Sequence, residues 1–459
     1  MSSFSGLSIA LSALRAQQYA MDTTGHNIAN ANTEGYRRQE PVFVANHPLT
    51  GSFTTTGVGS QIGTGVEVAT IRRTQTDFMD TQIRMENQWL GMWSSRSEAL
   101  QQIEPLLSEP GDSGLSAALD RFWNSWQDLA ASPESLPARI AVVESGVALS
   151  DRIRNLHYDL YKVQEDADRA IAGKSNEINW LAQEIASLNA QTIKAENGQY
   201  QPNDLMDRRD LLVEQLARIT RIEVHGSGGS NMIISVGGRV LVQGNYAAKT
   251  SVGVGPTGWS QIVWSEDNSP LPVNGGELKG LTDVRDTLAA GYMASLDTIT
   301  QAIVARVNAI HVTGFDMNGN PAGDFFTAGT GASNVTVNSA LLAAPSGVAA
   351  SGAAGEPGNN SVANAMAGVR GEALVGGQTA RTAYTALVTQ IGLHARESAM
   401  RTSLHEVSLK QRKMQRESIA GVSIDEEMAN MMKFQQAYNA AARIFTVMNE
   451  MLDTIINRM

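Results

Sequence analysis

Residues 423–456, SIDEEMANMMKFQQAYNAAARIFTVMNEMLDTII, predict a long helix that carries one narrow apolar stripe. Ser423, followed three residues later by Glu426, forms a capping box, which signals the start of a helix. Beyond this start, one set of positions recurs in alternating steps of four and three residues, the spacing of a coiled-coil seam. The apolar members of this C-terminal seam are Ile424, Met428, Met431, Tyr438, Phe445, Leu452 and Ile456.

The N-terminal residues repeat this alternation, although Gln18 and Gly25 interrupt it with non-apolar residues. The steps average about 3.5 residues, which is typical of a coiled-coil seam rather than of a free-standing helix. The members of this N-terminal seam are Leu7, Leu11, Leu14, Met21 and Ile28.

Two interpretations of the seams stay open. In the first, each end is an amphipathic helix that packs on its own core. In the second, which we favour, the ends pair with each other or with a neighbouring subunit, because the stripes are narrow and stand at the two ends of the chain. Burial of one seam Leu or Met is worth roughly 1.5–3 kcal/mol, so several together outweigh the marginal stability of an isolated helix. Assembly would then drive the folding of both ends.

The pattern between the ends predicts a mainly α protein with a smaller β-rich part. Alternation and glycine replace helical periodicity between residues 222 and 273. Residues 327–367 are rich in Ala, Gly, Ser and Asn and predict a loose or variable region. The predicted parts are a terminal coiled-coil assembly domain at 1–45 and 418–459, a discontinuous long-helix domain at 46–221, 281–312 and 376–417, and an outer β-rich or variable region at 222–280 and 313–375.

The composition argues against several classes of function. With 35 Lys and Arg against 46 Asp and Glu, the formal net charge is −11, so no basic face for nucleic acid is expected. No apolar run approaches the roughly 18 residues of a membrane-spanning helix, and residues 1–21 lack the pattern of a secretory signal peptide. The absence of cysteine excludes disulfides and thiolate zinc sites. We therefore expect no nucleic-acid partner and no membrane insertion.

No catalytic constellation stands out, so we expect neither an enzyme nor a cofactor or metal site. The seven histidines are scattered, and no two have metal-ligand spacing around a general-base Glu. Asp316, Asn318 and Asn320 match the first three ligand positions of a calcium loop. Pro321 and Thr327 stand where this loop requires Gly and Glu, so we interpret the segment as a turn.

Residues 25–36, GHNIANANTEGY, resemble the N-terminal signature of the flagellar axial proteins, the family of rod, hook and hook-associated subunits. The segment ends a helix, because Asn30 and Asn32 can cap it or adopt left-handed geometry and Gly35 supplies a turn. Asn27 and Tyr36 complete the motif, and an extended stretch is expected directly after it.

Three central segments resemble the members of this family that form the first junction between hook and filament. These segments are NDLMDRRDLL at 203–212, GGELKGL at 275–281, and VNAIH at 307–311 with the GFD and FF that follow it. The start of the C-terminal seam fits the same members, and the resemblance covers most of the chain. One departure is Arg37, which stands where many relatives carry Ser or Thr, and we expect this difference to have no consequence.

The resemblance implies a structural subunit of the bacterial flagellum. Such subunits form a ring at the hook–filament junction, contact the hook protein, the second junction protein and the filament, and permit filament assembly. They reach the extracellular flagellum through the flagellar type III export apparatus, without a cleaved signal peptide. A cytoplasmic export chaperone binds their C-terminal helix, here residues 424–459. We expect residues 1 to about 40 and about 420 to 459 to be dynamic in the free chain and ordered in the ring.

Two other functions stay open at this stage. A hook or distal-rod subunit would share the two ends of the chain, but the central segments argue against it. An enzyme or adhesin could instead be carried on the outer part, residues 223–367. No catalytic residues are visible there, but a saccharide-binding surface is compatible with the sequence.

Overall fold

Long helices dominate the chain, which confirms the predicted mainly α class. The computed structural model describes residues 2–51, 60–107, 109, 111–197, 202–226, 229 and 231–457. The helices are α1 (Ser2–Ala29), α2 (Asp77–Leu107), α3 (Leu115–Ala131), α4 (Leu136–Asn197), α5 (Asn203–Ile219), α6 (Gly276–Asp283), α7 (Ala290–His311), α8 (Ser339–Ala343), α9 (Ser361–Gly368), α10 (Ala380–Ala420) and α11 (Ile424–Asn457). The strands are β1 (Gln39–Ala45), β2 (Leu49–Gly51), β3 (Ser60–Ile62), β4 (Val66–Arg73), β5 (Glu223–His225), β6 (Ile233–Val236), β7 (Arg239–Gln243), β8 (Tyr246–Ala247), β9 (Thr250–Val254) and β10 (Ser260–Trp264).

A two-stranded antiparallel sheet follows α1 and packs against it. β1 pairs with β4 from Gln39 opposite Arg73 to Ala45 opposite Val66, and both strands contact α1. β1 is the extended stretch that was expected after Gly35. The long-helix domain predicted at 46–221 differs from the structure at its start, because up to residue 73 the described part of this range contains β2, β3 and β4. These strands are short or half exposed, so their hydrophobic pattern is weak.

α4 runs through two separate apolar clusters. Its first half, from Val142 to Ala167, is buried in the first cluster, and its second half, from Ile171 to Leu188, is buried in the second. The helix has 62 residues and is therefore about 93 Å long at 1.5 Å per residue. It is one of the elements that the two clusters share, together with α6, whose Leu281 packs against both.

The first cluster collects the apolar side chains of α2, α3, α7, α9 and the first half of α10 around α4. In α3, Phe122 and Trp126 are fully buried at i and i+4 on one helix face. Both rings pack against Phe325, with centroid distances of 5.7 and 5.5 Å. A π-helical turn at residues 284–289 joins α6 to α7 within this cluster.

Residues 313–375 differ from the loose, β-rich region that was expected. The segment contains α8, α9 and isolated bridges rather than a named strand, in a stretch that the structure describes throughout. Its apolar side chains belong to the first cluster, and Phe325, Ala349 and Met366 are fully buried. The small residues that suggested a variable loop allow close packing against α7 and α9 instead. The many small residues of this segment therefore do not indicate a loose loop, because the segment packs closely in the first cluster.

The second cluster lies between the later half of α4, α5 and the strands. β5 to β8 form an antiparallel sheet in sequence order, and β9 pairs with β10. Gly237 and Gly238 connect β6 to β7 at φ values of +57° and +83°, which a side chain would disfavour. Trp264 is buried, and the Arg239 guanidinium lies over its ring at 4.7 Å from the centroid. These strands fall where the alternation predicts β structure.

Candidate assembly site

α1 and α11 pack against each other and form what we call the terminal helix pair. On α1 the buried side is lined by small residues, among them Ala10, Ala16 and Ala20. On α11 the buried and half-buried residues are 427, 430, 431, 434, 437, 438, 441, 442, 445, 448 and 452, and from 431 onwards they include a series in steps of three and four. A Cβ at Gly6 would lie 2.8 Å from Cε of Met448, so glycine permits the close approach of the two helices there. Gly25 likewise lies next to Met431, so at both points a glycine of α1 faces a methionine of α11.

The predicted C-terminal seam coincides only partly with the side of α11 that is covered. Four of its members lie on that side and are half-buried: Met431, Tyr438, Phe445 and Leu452. Ile424 and Met428 remain 50% and 49% exposed. The side chain of Ile456 lies outside the described residues.

The predicted N-terminal seam lies beside the buried side of α1. Leu11 is 40% exposed, and the other members are half-buried, namely Leu7, Leu14, Met21 and Ile28. Three members directly follow a buried residue, because Leu11 follows Ala10, Met21 follows Ala20 and Ile28 follows Asn27. One residue corresponds to a rotation of about 100° around the helix. The large apolar side chains of α1 are thus incompletely covered within this chain.

Asn27 is the centre of a polar junction at the base of the terminal helix pair. Its side-chain NH₂ donates to the Gln39 carbonyl and to the Glu427 carboxylate, both at 2.9 Å. Its Oδ1 accepts from the Tyr36 hydroxyl at 2.8 Å and from the Gln39 N–H at 3.1 Å. Asn27 and Glu427 are 1% and 2% exposed, so these hydrogen bonds replace lost hydration. One side chain thereby links α1, β1 and α11.

The remaining motif residues shape the turn that leaves α1. The Asn30 side chain donates to the His26 carbonyl at 3.1 Å, which satisfies a carbonyl at the helix end. Gly35 adopts φ +82°, the left-handed geometry that the motif predicts at this turn. Asn32 is exposed, and neither asparagine has a positive φ. Burial and three nearby carboxylates raise the pKa of the Tyr36 hydroxyl, so it stays protonated and donates.

Arg37 enters a buried ionic cluster that the sequence analysis missed. Its guanidinium lies 2.9 Å from Asp80 on α2 and 3.1 Å from Asp210 on α5, and its backbone N–H donates to Asp207 at 2.9 Å. The Arg37 side chain is only 4% exposed. The arginine at this position is therefore a structural partner of two helices rather than a solvent-exposed substitution. An arginine can reach two helices at once because its guanidinium carries five donors in a rigid fork.

Other arginines complete the ionic cluster from the remaining elements. Arg73 on β4 pairs with Asp207 at 2.8 Å and with Asp210 at 3.0 Å. Arg416 on α10 pairs with Asp80 at 3.3 Å and also with Glu214 of α5. Burial is the largest influence on the Asp207 carboxyl and raises its pKa, although Arg73 acts in the opposite direction. We define the ionic cluster as Arg37, Arg73, Asp80, Asp207, Asp210, Glu214 and Arg416.

Arg38 contacts the terminal helix pair on the other side of the same short segment. Its guanidinium lies 2.9 Å from Glu427 and 3.1 Å from Glu426, both in the first turn of α11. The contact with Glu427 is an ion pair without hydrogen-bond alignment. The Arg38 backbone N–H donates to the carbonyl of Ala420 at the end of α10. Two consecutive arginines therefore engage different parts of the molecule.

The segment 203–212, which carried part of the resemblance, supplies two of the four acidic residues of the ionic cluster, Asp207 and Asp210. Asp204, Asp207 and Asp210 recur every third residue, so they lie along one side of α5. Asp204 accepts from the Gln39 side chain at 2.7 Å. Asn203, the first residue of α5, donates its side-chain NH₂ to the Ile71 carbonyl at 2.8 Å rather than capping the helix. The acidic repeat could have indicated a charged site on α5. It does not predict which arginines lie opposite it, because these belong to other elements.

The described residues offer no group of three or more His, Asp or Glu side chains that could hold a metal ion. In the segment that resembles a calcium loop, Asp316 Oδ1 accepts from the backbone N–H groups of Asn318 and Asn320 at 2.7 and 2.8 Å. Asp316 therefore closes a turn. None of the helices, as far as the structure describes them, combines the length and hydropathy needed to cross a membrane.

Sequence comparisons relate separate parts of the chain to flagellar proteins. Residues 100–326 match the family described as flagellar hook-associated protein FlgK helical domain. Residues 7–37 match the flagella basal body rod protein family, and residues 415–459 match the flagellar basal body rod FlgEFG protein C-terminal family. The two terminal matches coincide with most of the terminal helix pair.

Relatives are similar over the whole length. Flagellar hook-associated protein 1 of Bacillus subtilis is 30% identical over 500 aligned residues, which cover 100% of this chain and 99% of that protein. The protein of the same name from Salmonella typhimurium is 27% identical and covers 98% of each chain. The solved structure of the flagellar hook junction protein FlgK from Burkholderia pseudomallei aligns with a TM-score of 0.66 over 74% of this chain and 100% of that one. At 15% identity, this structural match supports the fold alone.

Proposed function

The chain belongs to the flagellar hook-associated protein 1 family, a structural component of the flagellum at the hook–filament junction, and we propose that it assembles there through its terminal helix pair. The observation that carries this proposal is that the side chains of this pair are only partly buried by the rest of the chain. In the described part of α11, a helix of 34 residues, only Glu427 and Ala441 are buried. A helix that buries so little within its own chain retains apolar surface for a partner.

Neighbouring copies would supply that partner and close a ring. The half-buried members of both seams, such as Leu14 and Phe445, gain complete burial when a further helix packs beside the pair. Each such side chain contributes about 1.5–3 kcal/mol on full burial, and less from a half-buried start. The outer ends of α1 and α11 then become ordered as the ring forms.

The ring would rest on the hook protein on one side and carry the second junction protein and the filament on the other. Such a role needs geometry and contact surface, and no catalysis. The polar junction at Asn27 and the ionic cluster support it, because they fix several elements relative to one another. The protein would thus be a permanent adaptor between two different helical assemblies.

Delivery to the cell exterior would use the flagellar type III export apparatus, with the chain unfolded. Before export, the large apolar side chains of the C-terminal seam need cover in the cytoplasm, because exposed Met431, Tyr438 and Phe445 would otherwise promote aggregation. A chaperone with a complementary apolar groove would bind α11 for this purpose. Titration of the purified chaperone with the full chain tests the proposal, and Phe445→Asp is expected to weaken binding at least tenfold.

Deletion of the gene in its own bacterium tests the junction role directly. The expected phenotype is hooks without filaments in electron micrographs, together with unpolymerised flagellin in the medium. Complementation with the intact gene serves as the control and should restore the filaments. Missing hooks would move the protein to the rod or hook, and normal filaments would refute the proposed role.

A further inference from the structure

Arg37 and Arg38 lie in the short extended segment that connects α1 to β1. Neighbouring side chains in an extended segment point to opposite sides. The Arg37 side chain reaches Asp80 and Asp210, which belong to α2 and α5. The Arg38 side chain reaches Glu426 and Glu427 at the start of α11. This dipeptide therefore connects the terminal helix pair to the rest of the molecule, which we call the body.

Each carboxylate that Arg37 contacts also pairs with a second arginine of the body. Asp207 and Asp210 each pair with Arg73, and Asp80 pairs with Arg416. Loss of the Arg37 guanidinium would leave each of these three carboxylates with another arginine. Arg73 is shared by Asp207 and Asp210, and Arg416 is shared by Asp80 and Glu214, so Arg37 also offsets negative charge in the cluster. What the Arg37 side chain adds beyond this charge is a bridge from the α1–β1 connection to two helices of the body.

We infer that Arg37 is a positioning residue, which holds the base of the terminal helix pair in one orientation on the body of the free chain. The inference rests on the proposed function, in which this pair is the assembly element. It divides each terminal segment into a held base, near Asn27 and Glu427, and an outer part that orders on assembly. A defined orientation lowers the conformational cost of assembly, because a docking-competent arrangement is already populated.

A distance measurement in solution tests this inference on the full chain. The sequence contains no cysteine, so Lys433→Cys on α11 and Gln183→Cys on α4 introduce the two sites for spin labels. Both residues are exposed. Pulsed electron paramagnetic resonance should give one narrow distance distribution for the otherwise unchanged chain. Arg37→Met should broaden this distribution at least twofold, while circular dichroism shows that the body stays folded at 25 °C, with a lower melting midpoint because buried carboxylates lose one partner.

Two matched variants separate positioning from other effects. Arg72→Met removes an exposed arginine on β4 beside the buried Arg73, and it should leave the distribution narrow. Arg37→Lys keeps the positive charge but loses the forked donors, and it should broaden the distribution nearly as much as Arg37→Met. A narrow distribution in Arg37→Lys would mean that charge alone suffices, which contradicts the bridging role.

Three further outcomes overturn the inference. An unchanged distribution in Arg37→Met would show that the base is held by other contacts. Unfolding of the body in that variant would make Arg37 a general folding residue. A broad distribution in the parent chain would show that the base is not held before assembly. None of these results contradicts the proposed function. Assembly through the terminal helix pair would instead be contradicted if Leu14→Asp and Phe445→Asp assembled normally.

Discussion

Asn308 and His311 fasten the segment after α7 to the first apolar cluster. Asn308 Oδ1 accepts from the backbone N–H groups of Phe325 and Phe326 at 3.0 and 2.9 Å, which fixes both rings in the core. His311 Nδ1–H donates to the Gly323 carbonyl at 2.6 Å, and its Nε2 accepts from the Ala349 N–H at 3.0 Å. These hydrogen bonds give Asn308 and His311 of the VNAIH segment a structural role. The imidazole must be neutral, because one ring nitrogen donates while the other accepts.

Acid should weaken the first cluster through His311. Burial lowers the pKa of His311 to about 4, below the usual value of 6.5. A depressed pKa means that the fold favours the neutral form, so the stabilisation is present above pH 6.5 and is lost as the pH falls towards 4. Between pH 7 and pH 5 the loss should be about 2 kcal/mol, from 1.36 kcal/mol per pH unit below the unfolded pKa.

Urea unfolding of the intact chain and of His311→Gln at pH 7 and pH 5 measures this contribution. The variant should be less stable at pH 7, by about 1–3 kcal/mol, because glutamine does not reproduce both hydrogen bonds in the same space. Its stability should then fall less steeply with acid than that of the intact chain. Equal pH slopes for the two proteins would contradict a neutral buried His311.

At the scale of elements, the seams show what hydrophobic spacing alone can predict. The three-and-four alternation correctly indicated long helices at both ends of the chain. It did not fix which side of each helix is buried. In α1 the side that is buried carries alanines, and a hydrophobicity pattern gives more weight to the leucines beside them.

α10 illustrates the same limit. Leu393, Met400, Leu404, Val407 and Met414 follow the apolar pattern of its sequence, and all are between 56% and 64% exposed. The helix packs on α2 through polar contacts, such as Arg412 and His405 with Glu86. Ion pairs across a helix interface depend on tertiary placement, which periodicity does not encode.

Charged residues placed in the predicted seams should block assembly without unfolding the body. Leu14→Asp or Phe445→Asp puts a carboxylate where a neighbouring helix would bury it, at a cost of several kcal/mol. Circular dichroism should show an unchanged body, while filaments are lost in a complementation assay. Leu342→Asp on α8, at a residue 51% exposed outside the terminal helix pair, is the control and should assemble normally. Normal filaments with either seam variant would refute that seam.

The outer parts of α1 and α11 should be weakly protected in the free chain. Few of their side chains are buried, so local opening costs little free energy. Amide exchange followed by mass spectrometry should be fast for residues 2–22 and 435–457 and slow for α3 and the middle of α4. The same ends should gain at least tenfold protection in the assembled ring. Strong protection of both ends in the free chain would contradict ordering on assembly.

At the scale of the whole molecule, α4 couples the two apolar clusters mechanically. The first cluster ends at Ala167 of this helix and the second begins at Ile171, so a continuous helix makes their unfolding cooperative. Gly173 lies just past this boundary, is exposed, and has open space where a Cβ would stand. A side chain therefore fits at this position, but a residue that breaks the helix here should interrupt the connection between the two clusters.

Gly173→Pro should uncouple the clusters, whereas Gly173→Ala should strengthen their connection. Proline removes a helix hydrogen bond and clashes with the preceding turn, which costs about 3 kcal/mol or more. Alanine restricts the unfolded chain and should add about 0.5–1 kcal/mol of stability. Differential scanning calorimetry should show two transitions for the proline variant and one for the alanine variant. A single transition in the proline variant would mean that other contacts couple the clusters.

Patterns along the chain were enough to predict the class of fold, the long terminal helices, the β-rich stretch after α5 and, through short segments, the flagellar family. These are local properties, because periodicity, caps and motifs depend on residues that are neighbours in the chain. Tertiary structure alone decided which side of α1 is buried, that residues 313–375 pack into the first cluster, and that Arg37 meets Asp80 and Asp210. Such pairings join residues up to hundreds of positions apart in the sequence. Their charges and shapes interact only after folding has brought them together, so local patterns do not predict these contacts.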